Sequence, residues 1–194
     1  MINLHQGRWS LLRIFLCAVT AALMSAMAPP AQAQISKDEI VRGLKPSEGL
    51  TRGLTRSLGG KTRKIEIVPG KEAEILDQNK DLPKINLTIE FEYNSDRPTP
   101  AGEKQLVALG DALKDASLHQ FRFMLAGHTD ARGSDDYNLQ LSERRAVAVQ
   151  RYLLGKQIEP ARLSVVGFGK KRLIDAGNPE SPRNRRVEIV NLLN

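Results

Sequence analysis

The chain has 194 residues, of which 41% are hydrophobic and 26% charged, enough for one ordinary domain plus extra segments. That balance excludes a membrane channel built of apolar segments. Formal charge is +7, from 29 Lys and Arg against 22 Asp and Glu, and its placement carries more meaning than its sum.

The first 33 residues stand apart. Arg8 and Arg13 precede an apolar run over 14–28, which is followed by Pro29, Pro30 and the small-x-small triplet Ala31-Gln32-Ala33. A charged start, a short apolar centre and a small-residue exit define a secretory signal peptide over 1–33, cut before Gln34. An uncleaved anchor fits less well, since spanning a bilayer takes about 20 apolar residues. The single cysteine, Cys17, lies inside this segment, so the mature chain is expected to have no disulfide and no Cys-based metal site. The residues before Cys17 are Ile14-Phe15-Leu16, without the small residue that precedes a lipidated cysteine, and no lipid anchor is expected there.

Residues 34–83 hold Gly43, Pro46, Gly49, Gly53, Gly59, Gly60, Pro69, Gly70 and Pro83 with no sustained period. They read as a basic, mostly flexible linker in which 64–68 forms one short strand at most. Nine Lys or Arg against four Asp or Glu lie between Gln34 and Lys71, while the rest of the mature chain is balanced. This segment is a solvated tether or, alternatively, touches an anionic surface in the cell envelope.

From Lys84 the pattern tightens. Ile85, Leu87, Ile89 and Phe91 alternate with polar residues, as in a strand with one buried face. Thr99-Pro100 opens a helix carrying Leu106, Val107, Leu109 and Leu113. Phe121, Phe123 and Leu125 predict a second strand, ending at Gly127. A polar loop, 128–136, leads into a second helix that runs to about Leu154 and stops at Gly155. Two further strands are expected at 163–166 and 186–192. The result is a two-layer α/β sandwich of βαβαββ order over 84–194, large enough for a core without disulfides.

One helix carries an anomaly. At 100° per residue, Leu141, Ala146, Val149, Tyr152 and Leu153 share an apolar stripe, and Asn138, Ser142 and Arg145 fall in it too. A guanidinium stays charged, and burying it unpaired costs several kcal/mol, so Arg145 needs carboxylates, other acceptors or a wet cavity. Asp130, in the loop feeding this helix, is the nearest candidate anion, with Asp135 and Asp136 expected to cap the helix. Two readings remain open. Asp130 and Arg145 form a salt bridge that pins the loop, or they face one cleft and clamp a zwitterion, carboxylate to Arg145 and ammonium to Asp130.

The run Gly127-His128-Thr129-Asp130, Gly133, Tyr137-Asn138, Leu141-Ser142, Arg145-Ala146, then Arg162-Leu163, Gly167, Gly169 and Asn184-Arg185-Arg186-Val187-Glu188 resembles the signature of the OmpA-like C-terminal domain. The likeness covers about residues 84–194. It implies a βαβαββ fold and non-covalent binding of peptidoglycan through the diaminopimelate residue of the stem peptide. By resemblance, Asp130 holds the ammonium end, Arg145 the carboxylate, and Asn138 shapes the pocket, with Thr129, Ser142 and Arg185 in support. The chain departs from the pattern at Gly169-Lys170-Lys171-Arg172, where a Gly-Glu and a Pro are usual, and at Ser181-Pro182-Arg183, which replaces a Gly-Arg pair. Both departures bear on loop shape. Residues 34–83 are too few for the eight strands of a transmembrane barrel.

Rival classes fare poorly. His119 and His128 are the only histidines outside the signal segment, too few for a His-rich metal site. No nucleophile motif, phosphate loop or reactive cysteine appears, so the chain reads as a non-enzymatic binder that needs no cofactor. Nucleic-acid binding, raised by the basic charge, is disfavoured by a Gly/Pro-rich basic segment without interleaved aromatics. The surviving alternative is an interaction module for another envelope protein, with Arg183, Arg185 and Arg186 as its basic face. The expected location is the periplasm, with peripheral attachment to the outer membrane as an option.

Overall fold

The computed structural model describes residues 35–47, 71–92 and 95–193, all within one unit, Gln34–Asn194. The expected signal segment and the short strand at 64–68 lie outside the described residues.

Chain order is α1 (Lys37–Leu44), α2 (Glu72–Gln78), β1 (Lys84–Leu87), α3 (Pro100–Leu113), β2 (Phe123–His128), α4 (Asp135–Gly155), β3 (Leu163–Gly169) and β4 (Val187–Asn191). The expected βαβαββ order is present from β1 onward. The four strands form one sheet in the order β1-β4-β2-β3, with β4 antiparallel to both β1 and β2, and β2 parallel to β3. The last strand therefore inserts between the first and second. Parallel β2 and β3 need a crossover, which α4 supplies.

The structure differs from the flexible-linker expectation in two places, and both matter for the core. Ser36 and Glu39 close a reciprocal capping box: Glu39 Oε2 accepts from the Ser36 amide at 2.8 Å, and Ser36 Oγ accepts from the Glu39 amide at 3.3 Å. The helix so started buries Ile40 and Leu44 completely in the main core with Leu87, Leu106 and Leu109. Asn191 ties it down by donating to the Leu44 carbonyl at 2.9 Å. Fully burying such a side chain contributes about 1.5–3 kcal/mol, so α1 belongs to the domain. Further on, Leu76 of α2 joins Leu82, Met124, Ala126, Val190, Leu192 and Leu193 in a second, smaller cluster.

That second cluster changes the reading of the sheet. Phe123, Leu125, Val187 and Ile189 join the main core, whereas Met124, Ala126 and Val190 join the second cluster and His128 pairs with Glu188, and every residue of both strands is buried. The first strand is also shorter than its alternation predicts. It stops at Leu87, and Phe91 returns only as an isolated bridge to Pro98. Between them the chain runs against the start of α3: Glu90 O accepts from the Thr99 amide at 3.0 Å, and a Cβ on Gly102 would collide with Glu90 O. Thr99 caps α3 by accepting from the Gly102 amide at 3.2 Å, with Pro100 at the first helical position as expected.

Helix α4 lies unusually close to the sheet. A Cβ on Gly127 would strike the Ser142 carbonyl, one on Gly167 would stand 2.8 Å from the Glu143 amide nitrogen, and one on Gly169 2.9 Å from that of Leu139. Gly169 also has φ +55, a conformation that side chains other than glycine rarely adopt. These glycines let the first turns of α4 rest on β2 and β3, which sets the loop between β2 and α4 in place.

Candidate functional site

The loop after β2 begins at a break in strand register. Pairing runs Gly127 to Gly167 but His128 to Gly169, so Phe168 is skipped. Such irregularities bend a strand and re-aim the chain beyond it. Past the break, the Thr129 amide donates to Gly169 O at 2.9 Å and the Ala131 amide to Pro179 O at 3.0 Å. Asp130 Oδ1 accepts from the Arg132 amide at 3.2 Å, Asn138 Nδ2 donates to Arg132 O at 2.6 Å, and Lys170 Nζ donates to Gly133 O at 3.0 Å. The loop is thus fixed from both sides.

Helix α4 comes next with Ser134 as its cap, accepting from the Tyr137 amide at 3.3 Å. The cap is therefore not Asp135 or Asp136. Those acids occupy the first turn, where the helix dipole favours them, and Asp135 also pairs with Lys170 at 2.8 Å.

Asp130, Arg145, Asn138, Thr129 and Arg185 line one cleft of about 720 Å³, together with Phe91, Glu92, Arg132, Gly133, Tyr137 and Leu141. Five of the six residues expected at the site meet there. Ser142 does not. Its buried hydroxyl donates to Leu139 O at 2.8 Å and accepts from the Gly169 amide at 2.9 Å, so it joins α4 to β3 beneath the cleft.

Of the two readings left open for Asp130 and Arg145, the salt bridge between them does not form. Asp130 Oδ2 instead accepts from Arg185 Nη1 at 2.9 Å. Arg145 donates through Nε to Ser95 O at 3.3 Å and stacks its guanidinium over Phe91 at 5.0 Å. Among the described residues no carboxylate lies within ion-pair distance of it, and its two terminal nitrogens have no hydrogen-bond partner. Burial lowers its pKa, Tyr137 and Asp130 oppose that, and Arg185 adds to it. A guanidinium remains charged regardless. Half-buried cation, nearby anion and open cleft can together receive a group carrying both a carboxylate and an ammonium.

Phe91, Glu92 and Arg132 are cleft residues that the sequence did not mark, and Tyr137 stood in the motif without an assigned role. Phe91 looked like the end of an alternating strand, and only the fold brings it under Arg145. Other motif residues hold the frame. Asn184 donates to Asp175 O, Asn178 O and Pro179 O, and Arg162 donates to Leu113 O, Leu118 O and Phe121 O.

Behind the loop, His128 is buried at the end of β2. Its Nε2 meets Glu188 Oε2 at 3.1 Å and its ring stacks on Phe168 at 5.5 Å between centroids. Burial lowers the His128 pKa, partly opposed by its hydrogen bond to Glu188, with nearby Arg186 and Arg172 lowering it further. Burial alone would raise that of Glu188, but His128, Lys84 and Arg186 outweigh it and the net direction is down. No group of three or more metal-ligating side chains occurs among the described residues. None of the described helices is long and apolar enough to cross a membrane.

The OmpA family model matches residues 90–186, half of the chain. This protein belongs to the OmpA family. Among proteins, it is similar to the peptidoglycan-associated lipoprotein of Pseudomonas aeruginosa, 42% identical over 104 residues, covering 53% of this chain and 60% of that one. Outer membrane protein A of Bordetella avium is 35% identical over 132 residues, covering 63% of this chain and 67% of that one. The chain spans about 60% of the length of the peptidoglycan-associated lipoproteins it matches in two Pseudomonas species. In fold it is similar to the solved structure of a MotB-like protein from Desulfovibrio vulgaris, with a TM-score of 0.50, 23% identity, and coverage of 80% of this chain and 94% of that one. The OmpA-family match and the mixed sheet agree on the α/β class expected from hydrophobic periodicity.

Proposed function

We propose that this OmpA-family protein binds peptidoglycan non-covalently in the cell envelope and so tethers or organises the wall, acting as a binder and not as an enzyme. The observation that carries the reading is Arg145, a half-buried cation that faces the same cleft as Asp130 and has no carboxylate partner among the described residues. The free end of a diaminopimelate residue in a stem peptide has the complementary pair, its carboxylate going to Arg145 and its ammonium to Asp130. Asn138 supports the site from behind by holding the loop carbonyl of Arg132. The similarity to proteins named for peptidoglycan association supports the polymer as ligand. It also supports a periplasmic location beside the outer membrane.

Each charge-assisted hydrogen bond contributes on the order of 1.5–3 kcal/mol, and binding costs offset part of that, so one cleft holds modestly. A polymer offers many copies of the ligand, and rebinding to neighbours raises the effective strength.

Co-sedimentation of the purified chain with isolated diaminopimelate-containing sacculi tests the proposal. Pelleting that free diaminopimelate reverses is the expected result. A folded chain that stays in the supernatant would overturn it and favour an envelope protein as the partner, while pelleting that the competitor leaves unchanged would overturn the diaminopimelate site.

A further inference from the structure

The charges lining the cleft do not balance. Glu92 and Asp130 face Arg132, Arg145 and Arg185, an excess of one positive charge among the described lining residues. Most of these groups are already matched: Glu92 by Arg97 at 3.9 Å, Arg132 by Glu180 at 3.2 Å, and Asp130 by Arg185 at 2.9 Å. Among the described lining residues Arg145 is the cation left over. A simple zwitterion entering this cleft would leave the excess in place, whereas a ligand end of net charge −1 would cancel it.

Arg185 can meet such a ligand without releasing Asp130. It holds the aspartate through Nη1 alone, its side chain is 42% exposed, and its Nε and Nη2 have no partner among the described residues. A guanidinium presents its donors as a fixed fork, so one arm can keep a resident carboxylate while another receives a second one. The volume, about 720 Å³, falls in the range of pockets that enclose whole small ligands, leaving room beyond the diamino-acid end.

We propose that Arg185 forms a second carboxylate subsite, so that the cleft prefers a ligand end bearing two carboxylates and one ammonium over a plain zwitterion. This rests on the peptidoglycan reading above and narrows it. A stem peptide that terminates at its diamino-acid residue has that charge set, because the α-carboxylate is free. One that continues past the residue has an amide there instead.

Two small ligands separate the cases. Nα-acetyl-diaminopimelate keeps one ammonium and two carboxylates, and its α-carboxamide keeps one of each. By calorimetric titration of the purified chain, the diacid should bind more tightly by roughly fivefold, the lower end of what one charge-assisted hydrogen bond at a half-exposed site supplies. Arg185→Gln should bind the two alike, the preference lost whatever the change in overall affinity from releasing Asp130, and Arg185→Lys should retain the preference. Equal wild-type affinities would overturn the subsite while leaving the Asp130 and Arg145 clamp intact. Loss of both ligands in equal proportion in Arg185→Gln would show that Arg185 acts only by holding Asp130, which also overturns it. If neither ligand binds, or Arg145→Ala binds both as wild type does, the clamp itself fails and the subsite with it.

Discussion

At the scale of single residues, the exchange of partners around Asp130 separates binding from stability. Were Arg145 bonded to Asp130, deleting it would strand a carboxylate in the protein. Since Asp130 is held by Arg185, Arg145→Ala should lower affinity for sacculi by roughly 10- to 100-fold, the loss of one charged hydrogen bond. It should move stability by no more than about 1 kcal/mol, because the lost contact with Phe91 is offset by a burial cost no longer borne. Pelleting and chemical denaturation on the same preparation check both halves, and a variant that binds normally rejects the site. His128 gives a second residue-level prediction. Its folded pKa lies below the ordinary imidazole value of about 6.5, so the unfolded chain binds the proton more readily. Stability from this group is complete above pH of about 6.5 and is lost as pH falls through the lowered folded value. Glu188, also lowered, acts in the same direction at more acid pH, its contribution disappearing as the carboxylate protonates. Melting temperatures of His128→Gln should therefore vary less than wild type just below pH of about 6.5, while the steeper loss in stronger acid persists. Parallel curves for the two proteins would contradict the assignment.

At the scale of elements, the approach of α4 to the sheet joins fold and site. Gly127 lies where any side chain would strike the Ser142 carbonyl, in the turn of α4 just before Arg145. Gly127→Ala must push that turn outward, and overpacking of this kind costs about 1–3 kcal/mol. Arg145 would shift with the helix, so the variant should lose sacculus binding even at temperatures where circular dichroism shows it folded. Helix α1 makes a different prediction. Ile40 is fully buried against the main core although it lies in a Gly- and Pro-punctuated basic stretch. Ile40→Ala should cost about 2–5 kcal/mol in denaturant titrations. A cost near zero would restore α1 to the status of a tether.

At the scale of the whole molecule, a modest cleft on a polymeric ligand behaves differently from the same cleft on a soluble one. Soluble diaminopimelate competes site by site, whereas a sacculus offers neighbouring copies after each dissociation. Release from sacculi should therefore need competitor well above its own dissociation constant, and diluting the sacculi at fixed protein should narrow the gap. Arg145 is only half-buried whereas Asp130 is buried, so added salt should weaken binding chiefly through the more exposed arginine.

The strand and helix order from β1 to β4 was legible in the chain, because alternation and a 3.6-residue stripe are local consequences of which side chains avoid water. The unusual placement of Arg145 was legible for the same reason, as a cation on a buried stripe. Even α1 left a local trace, the Ser36 to Glu39 capping box, outweighed by the neighbouring Gly43 and Pro46. What lay beyond reach were contacts between distant segments: Arg185 against Asp130, Phe91 beneath Arg145, and Leu76 covering a second sheet face. Ion pairing depends on which charge arrives within about 4 Å, and nothing in the spacing of 130, 145 and 185 ranks the two arginines. Sequence thus determined that a charge falls on the apolar stripe of α4; packing of β4 between β1 and β2, which carries Arg185 to the cleft, decided how that charge is left open to a ligand.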